Sequence, residues 1–401
     1  MTATDGLAID VEHHYDHLEL SELANPFEHF SDVRARCSVV HTDRHDGFWV
    51  LLRHADVADA AANPAVFSSS KNVTIPSHAF PLPLPPIEID PPQHRQFRSP
   101  LVERFSPTAV ARMEGDLRAA VRELIAAFIE DGSVDLAQQL TMQLPAVAVS
   151  HLLAIPEQDR ELVRGWAVRL IHDPEDLDAV GDAMEYFAHI YDTRRAEPTD
   201  DIPSLMLTIR IDGREILEEE FLLLMSTLVM AGLDTTANAG AHILHLLSAR
   251  PEVRAALLAD RALVPSGLEE LLRYITPLPA LGRTVLADVE VAGCPIPAGD
   301  RVHLSWMSAN HDPAEFVEPE QIRLDRPNNR HLSFGAGPHR CLGAHLARLE
   351  LRILLEEVLD AIPDFDVDEA SIVRTSGITR GIVQLPATFT PRPATCQDDS
   401  A

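Results

Sequence analysis

A mainly α chain with small β-sheets is predicted by three features of the sequence. Apolar residues recur at helical spacing over most of the 401 positions. Strand-like runs are short and gather near 284–305 and 381–391. One helical stretch, 215–249, is exceptionally long. A hydrophobic content of 46% permits a large core, divided into two or three domains or built as one unusually large one.

Taken in order, residues 23–36 (LANPFEHFSDVRAR) have the apolar spacing of an amphipathic helix, and the stretch from 47 (GFWVLLRHADVADAAAN) reads as a strand followed by a helix. Residues 68–92 hold seven prolines, through which no helix can run; the segment is a surface loop or the wall of a pocket. Helical spacing resumes over 107–131, 135–153 and 157–173. Within 215–249, the segment VMAGLDTTANAG (229–240) sets Gly232, Asp234, Thr235 and Thr236 among leucines, which costs helix propensity and predicts a kink. Residues 265–275 (PSGLEELLRYI) form a further helix with Ser266 at its N-cap. The turns Ala292-Gly293 and Pro297-Ala298-Gly299-Asp300 predict small hairpins, and 343–359 predicts a long amphipathic helix. There is no internal repeat or low-complexity linker.

Lys+Arg number 33 against 62 Asp+Glu, a formal charge of −29, which argues against non-specific binding to nucleic acid or anionic membranes. The N-terminus lacks a signal pattern, and the apolar run 221–233 is too short for a membrane span, so a cytoplasmic location is expected. The four cysteines, Cys37, Cys294, Cys341 and Cys396, form no CxxC or other zinc spacing.

Cys341 nevertheless stands in an unusual setting, HLSFGAGPHRCLGAHLARLELR (331–352). Glycines precede it and a helix follows, so backbone N–H groups and the helix dipole favour a thiolate. Gly343 leaves room for a flat partner against the helix start. One thiolate cannot complete a structural zinc site, with only His339 and His345 nearby, and a cysteine nucleophile would want a base and an oxyanion hole. Axial ligation of haem iron needs only one cysteine.

The string Phe334-Gly335-x-Gly337-x-His339-x-Cys341-x-Gly343 resembles the haem-binding signature of the cytochrome P450 family, at all its marked positions. The resemblance covers about 20–390 and implies one P450 domain over 1–401, with disordered tails near 1–15 and 393–401. In the implied fold a long central helix lies over haem b and the cysteine loop lies on the proximal side. Cys341 would be the axial iron ligand, with Phe334, Gly335 and Gly343 beside it and His339 bonding a haem propionate. Glu270 and Arg273 stand where the family has its ExxR pair, with Arg326 as third member of that network. Glu269 and Arg273 have the spacing of a second pair. His94, Arg98 and Arg283 occupy positions that serve the propionates, two anions that require cations or strong donors. Ala231, Asp234 and Thr235 fall on the oxygen-activation segment, where Thr235 would hydrogen-bond at the iron site and Asp234 would feed protons through water.

The resemblance places a substrate pocket between the proline-rich loop, the central helix, the segment after Arg273 and a C-terminal turn. Its candidates are Ile75, Phe80, Leu82 and Leu84 from the loop and Met230 with Ala231 from the helix. Leu278, Leu281, Ile378 and Thr379 complete them. These side chains are mostly apolar and imply a small hydrophobic substrate. DPPQHRQFR and SGITRGIVQLP resemble the camphor- and terpenoid-hydroxylating subgroup. No flavin or nicotinamide fingerprint is present, so electrons for O2 would come from an iron–sulfur ferredoxin and an NAD(P)H-dependent reductase. Arg98, Arg340 and Arg348 are candidates for a basic docking patch on a monomeric enzyme. A peroxygenase, a haem-thiolate sensor and a haem-free zinc or thiol enzyme are the alternatives. Asp234-Thr235 disfavours the first, and no output domain is visible for the second.

Overall fold

The long helical stretch folds as one helix, Glu218–Ala249, whose 32 residues span about 48 Å at 1.5 Å each. The computed structural model describes residues 15–21, 23, 27–77, 82–172 and 176–393. The expected disorder of the tails falls almost wholly outside these residues, and so does Phe80. Glu218, Glu219 and Glu220 occupy the first turn, where negative charge complements the helix dipole. Glu220 also accepts the Leu217 N–H at 2.8 Å.

The polar insertion does not interrupt this helix, which runs continuously through 229–240. Thr235 donates its hydroxyl to the Ala231 carbonyl at 2.8 Å, so its polar group is satisfied within the helix. The glycines serve packing instead. A Cβ on Gly232 would lie 2.7 Å from Val149 Cγ2, and one on Gly240 would lie 2.8 Å from Leu354 Cδ2. By length and hydropathy the helix could cross a membrane, but 56% of its most apolar window is buried inside the protein, which marks a core helix. Helices Gln143–Leu152, Arg160–His172, Leu177–Ala196, Val264–Ile275 and Ala344–Ala361 surround it.

The β structure lies to one side. A five-stranded sheet has the order Val39–Thr42, Phe48–Leu51, Arg301–Ser305, Ala280–Val285, Phe67–Ser68. Its pairs are antiparallel except Arg301–Ser305 with Phe48–Leu51. Ala292 and Gly293, both at positive φ, close the Val289–Val291/Cys294–Ile296 hairpin as predicted. The turn at 297–300 instead returns Arg301–Ser305 against Ala280–Val285. Ser266 does not cap its helix. Val264–Ile275 begins earlier, at N-cap Leu263, and the Ser266 hydroxyl donates to the Leu263 carbonyl. Two helices absent from the sequence reading, Leu177–Ala196 and Pro251–Ala259, complete the α layer.

Among the histidines buried in this framework are His17, His242 and His303. Burial is the first cause in each case: it lowers His17 to about 4 and holds His242 and His303 well below the usual range. Below about pH 6.5 the unfolded chain binds protons that the folded chain refuses, so this stability is complete above 6.5 and declines as pH falls toward 4. Unfolding free energy should therefore decrease through this window by up to about 1.4 kcal/mol per pH unit for each histidine. Urea titrations between pH 7 and 4.5 measure it; a flat profile from 6.5 to 5 would refute the assignment of these imidazoles as neutral.

Candidate active site

Cys341 follows a loop whose shape is set by backbone constraints. Gly335 and Gly337 have φ of 66° and 67°, a region that favours glycine. A Cβ on Gly337 would meet the Ala61 carbonyl oxygen at 2.2 Å, so the loop lies directly on helix His54–Ala62. The Cys341 N–H donates to the Phe334 carbonyl at 2.8 Å and closes the loop. Helix Ala344–Ala361 starts three residues later, and no atom lies within 4 Å of where a Cβ of Gly343 would stand.

Cys341 lines a cavity of about 240 Å³ that opens partly to solvent. Burial pushes the Cys341 thiol up, while the Gly343 N–H, Arg98, Arg348 and Arg340 pull the other way. The net shift is upward, so the helix start helps, through the Gly343 N–H, but does not by itself hold a thiolate. Deprotonation belongs to metal binding.

Beneath the loop lies a buried ion-pair network. Glu270 and Arg273 are both wholly buried and meet twice at 2.9 Å. Arg326 Nε donates to Glu270 at 2.8 Å, and the Arg323 N–H and Asn329 amide add bonds of 2.9 and 3.1 Å. Burial raises the Glu270 carboxyl, but the bonds from Arg273 and Arg326 outweigh it and hold the group below the ordinary range. Arg273 also donates to the Asn310 carbonyl at 2.8 Å. Asn310, unnoticed in the sequence, carries the connection onward: its amide donates to Ser333 Oγ at 2.9 Å and accepts the Leu332 N–H at 2.6 Å. The network thus reaches the cysteine loop itself.

Glu269 does not pair with Arg273 as its spacing allowed. It binds Arg348 through two contacts of 2.6 and 2.8 Å, and His331 at 3.0 Å. Burial raises this carboxyl too, but those partners hold it down at about 2. Arg348 lies 4.3 Å over the Phe334 ring. Its charge is paired with Glu269, and both side chains stay partly exposed. Arg340 remains exposed.

His94, Arg98, Arg283 and His339 all line the cavity. The rings of His94 and His339 stand 4.4 Å apart. Both ring nitrogens of His94 and Nε2 of His339 are buried without a hydrogen-bond partner among the described residues. Burial, reinforced by neighbouring cations, lowers His94 to about 4 and His339 to about 3; burial lowers Arg283 to about 10. Cationic and donor groups held together with unsatisfied nitrogens fit a ligand that brings two buried anions, as haem propionates do. A thiol on the same cavity and an open face at Gly343 fit its iron and its flat ring.

The oxygen-side candidates divide. Ala231 and Thr235 line the cavity. Asp234 does not; its carboxylate accepts a hydrogen bond from Thr379. Of the expected substrate contacts, Leu278 and Leu281 line the cavity, but six others do not. Ile75 is taken into the core around Tyr15 and Phe48, and Leu84 is buried apart from the cavity. Leu82 faces solvent at 43% exposure. Met230 and Ile378 are half-buried outside the wall, and Thr379 is spent on Asp234. Their places are taken by Pro86, Ile87, Phe105, Val149, Leu152 and Leu153. Helix Gln143–Leu152 reads in the sequence as ordinary core, so nothing there marks Val149 or Leu152 as cavity residues. Glu350 is a further unforeseen cavity residue; burial pushes its carboxyl up to about 8, so it is mostly protonated at neutral pH.

The chain matches the Cytochrome P450 family model over residues 172–389. It is 34% identical over 342 residues to cyclomarin C epoxidase CymV of Salinispora arenicola, covering 82% of this chain and 87% of that one. It is 35% identical over 346 residues to cytochrome P450 130 of Mycobacterium tuberculosis, covering 82% and 85%. Among solved structures, a mutant of P450 EryK with erythromycin B superposes with a TM-score of 0.83 at 32% identity, over 94% of this chain and 97% of that one. CYP109E1 of Bacillus megaterium with testosterone gives 0.84 at 28% identity, over 93% and 99%. With the geometry of the cysteine loop, these likenesses establish that the chain belongs to the cytochrome P450 family.

Proposed function

We propose that this member of the P450 monooxygenases inserts one oxygen atom of O2 into an unactivated C–H bond of a small apolar molecule of terpenoid or steroid type. Electrons would come from an iron–sulfur ferredoxin and its NAD(P)H-dependent reductase. The carrying observation is that Cys341, Thr235 and a cluster of buried cationic donors line one otherwise apolar cavity. The substrate class is supported by that wall, in which Val149, Leu152, Leu153, Leu228, Leu278 and Leu281 predominate. The Thr227 hydroxyl beside them is turned back to the Leu223 carbonyl at 2.8 Å and offers little polarity. Relatives named steroid C26-monooxygenase and methyl-branched lipid omega-hydroxylase support an apolar substrate as well.

Bound haem b supplies the iron at which O2 is reduced and its O–O bond cleaved. Cys341 would be the iron ligand, Arg98 and Arg283 would neutralise the propionates, and His94 and His339 would hydrogen-bond them. Phe334, Gly335 and Gly343 shape the space beside sulfur and ring, and Ala231 borders the oxygen side. The Thr235 hydroxyl, which rests on the Ala231 carbonyl, would turn from it to hold a proton on the oxygen side, and Asp234 would replenish that proton through water. Glu270, Arg273 and Arg326 fix the loop geometry. The chain would act as one domain and as a soluble cytoplasmic monomer. Its charge of −29 and the burial of its most apolar helix support that reading. Exposed Arg340 offers an acidic ferredoxin a cationic contact on the cysteine side.

Three substitutions test this assignment. Cys341→Ser should abolish the thiolate-type absorption of the reduced CO complex; a retained band would put the iron on another side chain. Thr235→Ala should leave ligand-induced spin shifts intact but divert most reducing equivalents to hydrogen peroxide, and unchanged coupling of NAD(P)H to product would remove Thr235 from oxygen activation. Glu270→Gln leaves Arg273 buried beside a neutral partner and should cost roughly 3–5 kcal/mol with poor haem retention, read by thermal unfolding and the haem-to-protein ratio.

A further inference from the structure

Pro86 and Ile87 line the cavity from a short turn in the proline-rich segment. The turn is closed on itself by Glu88, which is 1% exposed. The Glu88 N–H donates to the Leu84 carbonyl at 2.8 Å, and the Leu84 N–H donates to Glu88 Oε2 at 2.9 Å. Main chain and side chain of one residue thus engage both backbone polar groups of Leu84, and the two wall residues are held between them.

Glu88 Oε1 reaches a different element. It accepts the Val73 N–H at 2.9 Å. Val73 is in turn tied to the five-stranded sheet. Its carbonyl accepts the Gly282 N–H at 2.7 Å, and the flanking carbonyls of Asn72 and Thr74 accept from Arg301 at 2.9 and 3.0 Å. Gly282 stands between Leu281 and Arg283, which line the same cavity. A Cβ on Gly282 would lie 3.3 Å from the Val73 carbonyl oxygen, so the two segments approach closely. One buried carboxyl therefore joins two walls: strand Ala280–Val285, through Val73, and the turn that carries Pro86 and Ile87. Backbone N–H groups can only donate, so both of its oxygens serve as acceptors. An amide of the same shape offers a single acceptor and can satisfy only one of the two walls.

We propose that Glu88 is a positioning residue for substrate selection: it sets the distance between the Pro86–Ile87 turn and strand Ala280–Val285, and with it the width of ligand that the cavity takes beside the haem. The proposal rests on the reading of this cavity as the substrate site. It assigns part of the selectivity to a side chain outside the cavity lining.

The test titrates the haem-loaded protein with imidazole and with 4-phenylimidazole, two iron ligands that differ by one ring, and takes each Kd from the red shift of the Soret band. Ile87→Ala removes a wall side chain and should favour the larger azole over imidazole by about threefold to tenfold. Glu88→Gln keeps the shape and removes one acceptor. It should move the ratio of the two constants in the same direction by about threefold or more, with imidazole binding nearly unchanged. The double variant should fall well short of the product of the two effects, because both act on one wall. If Glu88→Gln does not take up haem, Arg301→Gln loosens Val73 from the other side and should shift the ratio in the same way. A ratio equal to that of the unmodified protein, equal weakening of both azoles, or fully multiplicative effects in the double variant would make Glu88 an ordinary structural residue and overturn the proposal. If Ile87→Ala leaves the ratio unchanged, Ile87 does not border the ligand, and the proposal fails while the cavity reading stands. If neither azole shifts the Soret band of the unmodified protein, the cavity reading fails and this proposal fails with it.

Discussion

The buried contact between Glu270 and Arg273 is the constraint on which the site depends. Taking a carboxylate and a guanidinium out of water costs several kcal/mol per ion, and one another's charge repays it only with good geometry and further bonds. Here Glu270 accepts from Arg273, Arg326, Asn329 and the Arg323 backbone, and Arg273 spends its remaining donors on the Asn310 and Pro319 carbonyls. Such a network adds little net stability compared with an apolar cluster of equal volume. What it adds is position. The chain from His311 to Gly343 contains almost no regular secondary structure, yet it must hold a sulfur in a fixed place. Directional bonds to charged groups do what a helix or sheet ladder would otherwise do, and Asn310 passes the constraint to Leu332 and Ser333.

A second pair works above it. Glu269 and Glu270 are adjacent on one helix and point to different partners, Glu269 to Arg348 and His331, Glu270 to Arg273 and Arg326. Arg348 belongs to the helix that follows the cysteine and lies over Phe334, which precedes it. The loop is therefore clamped at both ends by two neighbouring carboxylates. The cavity beyond carries the opposite character: the guanidinium groups of Arg98 and Arg283 line it, beside His94 and His339, whose imidazoles burial holds neutral.

The cysteine loop and the ExxR pair were legible because their meaning is local: glycines at fixed offsets, and partners one turn apart on a helix. The partner of Glu269 was not, because Arg273 at i+4 and Arg348, distant in sequence, compete for it, and only the packed structure decides. The fold class and the central helix were plain from periodicity. Leu177–Ala196 was missed, since its apolar stripe is weak. The pocket was the least legible part. Ile75 and Leu84 are as apolar as Val149 and Leu152, and composition does not say which apolar side chains face a cavity and which face the core.

Helical geometry also explains why the acid and the threonine part company. Positions 227, 228, 231, 232, 235, 236 and 239 line the cavity, forming one broad stripe of the central helix. Thr235 belongs to that stripe. Asp234, one residue earlier, is rotated about 100° from Thr235, and Asn238 lies beneath Asp234 on the same face. The carboxylate accepts a hydrogen bond from Thr379, whose turn is anchored to the Ile275 carbonyl through the Arg380 guanidinium, so the C-terminal strands contact the acid from outside the cavity.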